Sequence, residues 1–256
     1  MKAKKVRALV LRAAGTNCEQ ETLLALQLAG ADASLAHINE LAKKKVQLSR
    51  FHIIIIPGGF AYGDDLGAGR ILANEIRFRL RKEFTQYNES GKLLVGICNG
   101  FQALIKTGFL PGNCTATLTN NDSGHFEDRW VWLKAAGNSL FTQGIKSLYV
   151  PVNHGEGKFV AEEKDLAMLQ RNRQVAFQYV DRSGNPDSYP NNPNGSLDSI
   201  AAVTSKEGNV FGMMPHPEKY VSRYQHPRWT REQLPEEGAG LQIFKNMVRF
   251  AEEKLI

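Results

Sequence analysis

The chain has 256 residues, of which 42% are hydrophobic and 23% charged, and its formal net charge is +6. This length and composition predict a globular protein with one sizeable core, so we expect a single domain over residues 1–256. Apolar runs such as Ile53 to Ile56 are far shorter than the roughly 20 residues of a membrane span, and no signal peptide is predicted. The basic residues are scattered, which argues against a nucleic-acid partner.

The three cysteines, Cys18, Cys98 and Cys114, form neither a CxxC pair nor a cluster with neighbouring histidines. Their odd number and irregular spacing indicate no disulfide framework and no metal site. A reducing compartment such as the cytoplasm agrees best with this composition. At least one thiol is then free for chemistry.

The first hundred residues alternate between short apolar runs and helical patterns in the order βαβαβαβα. This alternation is typical of a parallel sheet with crossover helices. The predicted elements are strands at 6–11, 33–38, 51–56 and 93–97, and helices at 16–30, 71–87 and 101–106. No bounds are predicted for the fourth helix of this order, between the second and third strands. Thr16, followed three residues later by Glu19, resembles a capping box at the start of the first helix.

The second half is richer in strand patterns. The predicted elements are strands at 130–133, 148–152, 175–180, 200–203 and 210–214, and a final helix at 241–255. The Gly, Asn and Pro-rich stretch 183–195 predicts a surface loop that is too short for a domain linker. With no internal repeat, a single α/β domain is the simplest prediction.

The segment from Gly96 to Gly100 has the G-x-nucleophile-x-G spacing of a nucleophile elbow, between a predicted strand and a predicted helix. Glycines at this spacing permit a sharp turn that lifts the Cys98 side chain above the sheet edge, where a helix N-terminus favours the thiolate. The turn also leaves the Asn99 amide free to donate to an oxyanion. Cys98 is therefore the candidate nucleophile, although the spacing alone also matches a buried cysteine in a tight turn.

A thiol nucleophile needs a base, which a third group usually orients. Among six histidines, His216 stands out because it lies between two prolines after an apolar strand, with Glu218 two residues further on. Residues two apart on an extended segment face the same side, so the Glu218 carboxylate can raise the basicity of the imidazole. A histidine that only caps a strand end is the alternative. Gly59, in a glycine turn after a strand, is the candidate second oxyanion donor.

Four segments carry a more specific pattern: PGGFAYGD at 57–64, GICNGFQ at 96–102, HGEG at 154–157 and GNVFGMMPHPE at 208–218. Together they resemble the class I, triad-type glutamine amidotransferases, and within that family the glutaminase subunits of phosphoribosylformylglycinamidine synthase. The resemblance implies a flavodoxin-like three-layer α/β/α sandwich with a mostly parallel central sheet. It also implies hydrolysis of glutamine to glutamate and ammonia through a Cys98 thioester, in de novo purine (IMP) biosynthesis.

The same resemblance implies roles for individual residues. Cys98 would be the nucleophile, His216 the base and Glu218 its orienting partner, while Gly59 and Asn99 would hold the oxyanion. The residues implied at the glutamine pocket are Gln102, which would contact glutamine, and Gly58, Phe60, His154 and Glu156, which would shape the pocket or a partner interface. For the last two, a purely structural turn is an equally good explanation.

The chain contains no P-loop and no kinase-type glycine motif, so ATP chemistry should belong to another polypeptide. We expect no cofactor in this chain, with ATP and Mg used by a partner synthetase subunit of phosphoribosylformylglycinamidine synthase, together with a small accessory subunit. The chain departs from the family pattern at Ala61, at an insertion over 187–194, and over 220–240, which matches nothing in the family. The last two segments could alter partner docking.

Other interpretations stay open at this point. Another cysteine hydrolase of the same fold, either a γ-glutamyl hydrolase or a peptidase, would share the elbow and the triad, although the subfamily motifs argue against it. A non-catalytic glutamine-binding subunit would not need an intact triad. Nucleic-acid binding through the +6 charge would require a salt-sensitive affinity.

Overall fold

The computed structural model describes residues 5–256. Within that range the chain alternates strands and helices at first and then becomes rich in strands. The strands are β1 Arg7–Arg12, β2 Asp32–His37, β3 Ile53–Ile56, β4 Leu93–Ile97, β5 Ala116–Asn120, β6 Glu127–Ala135, β7 Ser147–His154, β8 Glu156–Ala161, β9 Val175–Val180, β10 Ile200–Thr204 and β11 Val210–Met213. The helices are α1 Glu19–Leu28, α2 Ile38–Ala42, α3 Arg70–Arg79, α4 Arg81–Glu89, α5 Asn99–Thr107, α6 Glu163–Arg171 and α7 Leu241–Lys254.

One large sheet contains nine of these strands in the order β2-β1-β3-β4-β11-β10-β9-β6-β7. The strands from β2 to β11 pair in parallel, whereas every pairing from β11 to β7 is antiparallel. Seven of the nine strands consequently run in one direction, with β6 and β10 reversed. The sheet thus has a parallel half and an antiparallel half that meet at β11, and the predicted mostly parallel sheet is confirmed.

Helices cover both faces of the sheet. α1 packs against α7, α3 packs against α4 and α5, and β3 contacts both α5 and α7. β3 and β4 are buried at every position, as expected for central parallel strands that are covered on both faces. The predicted α/β/α class is therefore confirmed. The longest described helix, α7, has 14 residues, and among residues 5–256 no helix is long and apolar enough to cross a membrane.

Two expectations about helices need correction. The first helix begins at Glu19, and Thr16 does not cap it, because Thr16 Oγ1 accepts the Ala13 N–H at 3.0 Å instead. The predicted helix at 71–87 is two helices, α3 and α4, since Leu80 between them has a non-helical φ of −130°. Polar spacing alone did not indicate this break.

The second half contains elements that the sequence patterns did not indicate. β5 and β8 form a separate antiparallel pair, and α6 follows β8. The stretch 183–195 is not wholly a surface loop as predicted, because Asn192 and Asn194 are buried. Asn194 donates to the carbonyl oxygen of Gly157 at 2.9 Å. The end of this loop is therefore attached to β8, beside the HGEG segment.

Candidate active site

Cys98 lies in the turn between β4 and α5. Its backbone has φ 51° and ψ −107°, a strained conformation for a residue with a side chain. Gly100 is required for close approach, because a Cβ there would lie 1.9 Å from the carbonyl oxygen of Ile56, and a Cβ on Gly96 would meet Gly100 at 2.6 Å. The positive φ therefore falls on the cysteine, and the glycines provide clearance rather than the turn conformation expected of them.

The Cys98 side chain is 4% exposed, and its sulfur lies 3.5 Å from the carbonyl oxygen of Asn153 at the end of β7. The Cys98 N–H donates to the carbonyl oxygen of Met213 at 2.7 Å, which fastens the turn to β11. Because α5 begins at the next residue, Cys98 lies at the N-terminus of a helix. The position suits a thiolate nucleophile.

His216 and Glu218 follow β11 and are at most 1% exposed. His216 Nδ1 lies 2.6 Å from Glu218 Oε1. Burial by itself lowers the pKa of His216, but the charges of Glu218 and Cys98 outweigh burial and raise this pKa well above its usual value. Cys98 is close enough to His216 to affect this pKa. His216 Nε2 nevertheless has no partner at hydrogen-bond distance and angle among the described residues. The Nε2 atom is therefore free to exchange a proton with the thiol.

Gly59 and Asn99 bring two loops together beside Cys98. Gly59 lines the same cavity as Cys98 and has φ 139°, which favours glycine. Asn99 is the first residue of α5, so its N–H has no acceptor within the helix. The Asn99 side chain accepts the Ala61 N–H at 3.1 Å and donates to Asp64 at 2.9 Å. These side-chain bonds tie the Gly59 loop to the elbow and leave the Asn99 N–H as the candidate oxyanion donor.

A cavity of about 170 Å³ opens beside Cys98. The predicted site residues in its wall are Gly59, Phe60, Cys98, Gln102, His154 and Glu156, and the other residues are Asp64, Ala68, Phe126, Asn153 and Gly155. A cavity of about 280 Å³ beside Leu48 and Tyr87 contains none of the predicted site residues. Chemistry rather than volume therefore identifies the cavity beside Cys98 as the candidate glutamine site.

Gln102 and Glu156 hold one wall of this cavity together. Gln102 Oε1 accepts from Asn99 at 3.0 Å, and its Nε2 donates to the backbone oxygen of Glu156. Both carboxylate oxygens of Glu156 accept the Ala68 N–H at 3.2 Å. Gln102 keeps a second Nε2–H and a second Oε1 lone pair with which it can contact glutamine.

His154, at the end of β7, is 2% exposed. Burial lowers its pKa to about 3, and nearby His216 contributes to the decrease. The Asn121 side-chain nitrogen donates to the backbone oxygens of His125 and His154, so Asn121 Oδ1 is the acceptor that faces His154 Nδ1 at 3.1 Å. Nδ1 consequently carries the proton of a neutral ring, and His154 stays uncharged at physiological pH.

Gly58 does not line the cavity but leaves room for His216, because a Cβ on Gly58 would lie 2.6 Å from the Cε1 atom of that ring. The Cys18 sulfur is 3.4 Å from the same Cβ position. Cys18 is 3% exposed, and its sulfur lies within 4.8 Å of ligand atoms on both His216 and Glu218. No spacing in the sequence connects Cys18 to this pair.

Sequence reasoning also missed Asp64, Asn153 and Phe126. Burial raises the pKa of Asp64 above its usual value, although the Gly69 N–H donates to its carboxylate at 3.0 Å. Asp64 lies inside one of the matched motifs and Asn153 lies next to another. These positions were the only indication in the sequence that the two residues belong to the site. Phe126, half exposed with its ring 6.1 Å from that of Phe60, had none.

The fold and this arrangement of cysteine, histidine and carboxylate define a triad-type amidotransferase. A family model described as the CobB/CobQ-like glutamine amidotransferase domain matches residues 5–251. A phosphoribosylformylglycinamidine synthase subunit PurQ of Dehalococcoides mccartyi is 49% identical, over 97% of this chain and 99% of its own length. The chain belongs to this PurQ family of glutamine amidotransferases.

Other relatives agree with that assignment. The PurQ subunit of Methanococcus maripaludis is 41% identical over 95% of this chain and 97% of its own length. A solved structure of PurLQS from Thermotoga maritima has a TM-score of 0.76 and 31% identity, covering 96% of this chain and 99% of that one. A solved glutamine amidotransferase of Thermotoga maritima, at 15% identity and a TM-score of 0.53, over 98% of this chain and 99% of that one, shares the fold.

Proposed function

We propose that this chain is the glutaminase subunit of phosphoribosylformylglycinamidine synthase. It hydrolyses glutamine to glutamate and ammonia and passes the ammonia to an ATP-dependent synthetase subunit in de novo purine (IMP) biosynthesis. The observation that carries this proposal is the buried His216–Glu218 pair next to Cys98 at the strained turn before α5. The identity to PurQ subunits supports the choice of pathway.

In the first half of the reaction, the Cys98 thiolate attacks the side-chain amide carbon of glutamine. The carbonyl oxygen becomes an oxyanion, which the N–H groups of Gly59 and Asn99 stabilise. His216, whose imidazolium form Glu218 stabilises, gives its proton to the leaving nitrogen. The carbon–nitrogen bond breaks, ammonia leaves, and a glutamyl thioester remains on Cys98.

In the second half, the neutral imidazole of His216 removes a proton from a water molecule that attacks the thioester carbonyl. The same oxyanion donors serve the second tetrahedral intermediate. When it collapses, the carbon–sulfur bond breaks, glutamate is released, and the thiolate and the imidazolium are restored. Because Glu218 is 0% exposed and its oxygen lies 2.6 Å from His216, the pair keeps one orientation through both halves.

The partner follows from the product. Ammonia released into water at neutral pH is mostly protonated and no longer nucleophilic, so it is useful only to a protein that receives it directly. The likeness to a chain in PurLQS supports two partners, a synthetase subunit together with a small accessory subunit. ATP and Mg would be used by that synthetase, with no cofactor in this chain. We place the protein in the cytoplasm, as one domain.

The first test is intact-mass analysis after incubation with a diazo-ketone analogue of glutamine, with and without the synthetase. We expect one adduct on the native chain, mapped to Cys98, and none on Cys98→Ser. Cys114→Ser is the matched control, because Cys114 is a thiol away from the cavity, and it should be labelled like the native chain. No adduct on the native chain, even with the synthetase present, would contradict the glutaminase proposal.

A γ-glutamyl hydrolase or peptidase is the alternative that shares this site. The two activities separate on substrate, because the cavity of about 170 Å³ must accept either free glutamine or a γ-glutamyl peptide. We expect glutamate release from glutamine and none from a γ-glutamyl dipeptide. The reverse result would establish the alternative.

A further inference from the structure

A third metal-ligating side chain lies against the catalytic pair. The Cys18 sulfur, a His216 ring nitrogen and a Glu218 carboxylate oxygen all lie within 4.8 Å of one another, and all three residues are buried. The proposed reaction uses His216 and Glu218 and assigns no step to Cys18, whose thiol donates to Asn17 Oδ1 at 3.2 Å. We propose that Cys18, His216 and Glu218 form an inhibitory binding site for Zn²⁺.

The ligand set suits zinc. Thiolate, imidazole and carboxylate are the three side chains that hold zinc in proteins. A Cys18 thiolate and the Glu218 carboxylate together neutralise a divalent cation, which a site sealed from water requires. The structure also leaves two polar atoms of the pair without a partner among the described residues, His216 Nε2 and Glu218 Oε2. Glu218 therefore has a lone pair to offer beyond its bond to His216.

The geometry needs only a small adjustment. With metal–ligand bonds of about 2.0 to 2.3 Å, the ligand atoms of tetrahedral zinc lie roughly 3.3 to 3.6 Å apart. The His216 Nδ1 and Glu218 Oε1 atoms are closer than this, at 2.6 Å. No two of the three ligand atoms on Cys18, His216 and Glu218 are more than 4.8 Å apart. Movements of about 1 Å, with Oε2 in place of Oε1, would bring the set into range. The absence of a side chain on Gly58 keeps the space between sulfur and ring clear.

Zinc at this position would remove the base. The metal takes the Nδ1 lone pair of His216, so the Nδ1 proton leaves and the neutral ring carries its remaining proton on Nε2. Cys18 also releases its thiol proton when it binds the metal. An Nε2–H ring cannot accept a proton from Cys98 or from water. Binding would therefore stop the glutaminase and be reversed by a chelator. This inhibitory consequence rests on the proposed function, whereas the metal site does not.

Metal binding is measured without an activity assay, using zinc by equilibrium dialysis and Co²⁺ as a spectroscopic probe of thiolate ligation. The chains compared are the native protein, Cys18→Ser, Cys98→Ser and Cys114→Ser. We expect one zinc per chain and a thiolate-to-cobalt absorption band in all except Cys18→Ser, whose zinc affinity should fall at least ~10-fold. Retention of the band by Cys98→Ser would show that the catalytic thiol is not the ligand.

Two kinds of binding result would overturn the site. The first is equal affinity of Cys18→Ser and the native chain, or no stoichiometric binding by either. The second is loss of the band in Cys98→Ser with retention in Cys18→Ser, which would place the metal on Cys98 and His216 instead. Either result stands even if the chain proves not to be a glutaminase.

Inhibition is then measured in the complex with the synthetase, with each variant compared with its own metal-free rate. Zinc that lowers native glutaminase activity about tenfold should lower that of Cys18→Ser by no more than about twofold, and a chelator should restore the native rate. If zinc bound at Cys18 without changing turnover, the site would remain and its inhibitory effect would be refuted. If native turnover were absent without metal, the proposed function would fail instead.

Discussion

His216 and His154 are equally buried, at 1% and 2% exposure, and are close enough for the charge of one to affect the other. Their pKa values nevertheless shift in opposite directions. The pKa of His216, beside the junction of the two sheet halves, is raised well above its usual value, while that of His154, on the antiparallel half, falls to about 3. Burial lowers both, so burial cannot explain the difference.

The difference lies in what faces Nδ1. His216 has the Glu218 carboxylate at 2.6 Å, and His154 has the neutral amide oxygen of Asn121 at 3.1 Å. A carboxylate stabilises an imidazolium, whereas an amide oxygen in a dry site accepts a hydrogen bond without repaying the cost of desolvating the charge. The His216 ring can therefore take up and release a proton, whereas the His154 ring stays neutral in the wall of the cavity. The predictions below alter one side of this comparison at a time.

The largest effect is expected from Glu218→Gln, which gives His216 the same kind of neutral partner as His154. The pKa of His216 should fall because the amide cannot stabilise the imidazolium. We expect turnover to drop by about 10⁴-fold, roughly 5.5 kcal/mol of transition-state stabilisation. Glutamate release by the complex with the synthetase measures the change.

Glu253→Gln, on the exposed face of α7, is the matched control and should be indistinguishable from the native chain. A loss of less than about tenfold for Glu218→Gln would mean that Glu218 does not govern the base. The contrast between the two histidines would then have no catalytic meaning.

The second prediction concerns acid stability and His154. The unfolded ring takes up a proton near pH 6.5, but the folded ring does so only near pH 3. Between these values the unfolded state binds more protons, so the free energy of unfolding falls as the pH decreases. At about 1.4 kcal/mol per pH unit, the loss reaches at most about 5 kcal/mol by pH 3. Urea denaturation of the native chain and of His154→Gln, across this window, isolates the contribution.

His216 should show the opposite sign. Because its folded pKa is raised, its contribution to stability is complete below pH 6.5 and is lost as the pH rises through the folded value. For His154, the contradicting result is a difference in stability between the native chain and His154→Gln that stays constant between about pH 6.5 and pH 3. That result would show that the folded His154 is not held neutral.

Much of the fold could be predicted from sequence because the patterns that indicate it are local. The four isoleucines of β3 precede a Pro-Gly-Gly turn, and the apolar run of β4 lies between Gly91 and Gly100. Their alternation with helical patterns predicted the parallel half almost completely. β5 and β8 were missed because their burial is decided by packing with the loop that contains Asn194, far away in sequence. The break at Leu80 likewise has no proline or glycine to mark it.

The residues of the candidate site likewise fall into those that the sequence indicated and those that only the fold brings together. Cys98, His216 and Glu218 lie in motifs whose spacing states their chemistry, and the structure places them together. The hydrogen-bond partner of His154 could not be predicted from sequence, because Asn121 lies on a different segment. Only the fold brings the two side chains to 3.1 Å. Cys18 was missed for the same reason. Sequence therefore indicated the candidate catalytic residues, and the fold was needed to show which groups set the charge of each histidine.

The third prediction uses two glycines, one beside each ring. A Cβ on Gly58 would lie 2.6 Å from Cε1 of His216, and a Cβ on Gly157 would lie 2.4 Å from Cε1 of His154. Alanine at either position should cost about 1 to 3 kcal/mol of stability, because each well-packed ring must move. Only Gly58→Ala moves the base, so turnover should fall roughly 10- to 100-fold there and much less in Gly157→Ala.

In urea denaturation, Gly155→Ala controls for the loss of a glycine, since the nearest atom to its Cβ would be 4.0 Å away. Turnover is compared between Gly58→Ala and Gly157→Ala, because Gly155 itself lines the cavity. Equal loss of turnover in Gly58→Ala and Gly157→Ala would show that both rings take part in the reaction, contrary to the distinction drawn between them.

The smallest effect is expected at His37, a partly buried histidine whose ring serves only the backbone. Its Nδ1 accepts the Asn39 N–H at 3.2 Å, and Glu40 accepts the His37 N–H at 2.8 Å, which together cap α2. His37→Ala removes one of these bonds and should cost about 0.5 to 1 kcal/mol, with unchanged turnover. Both quantities come from the denaturation and glutamate-release measurements used above. A larger loss of stability would mean that the imidazole contributes more than a cap.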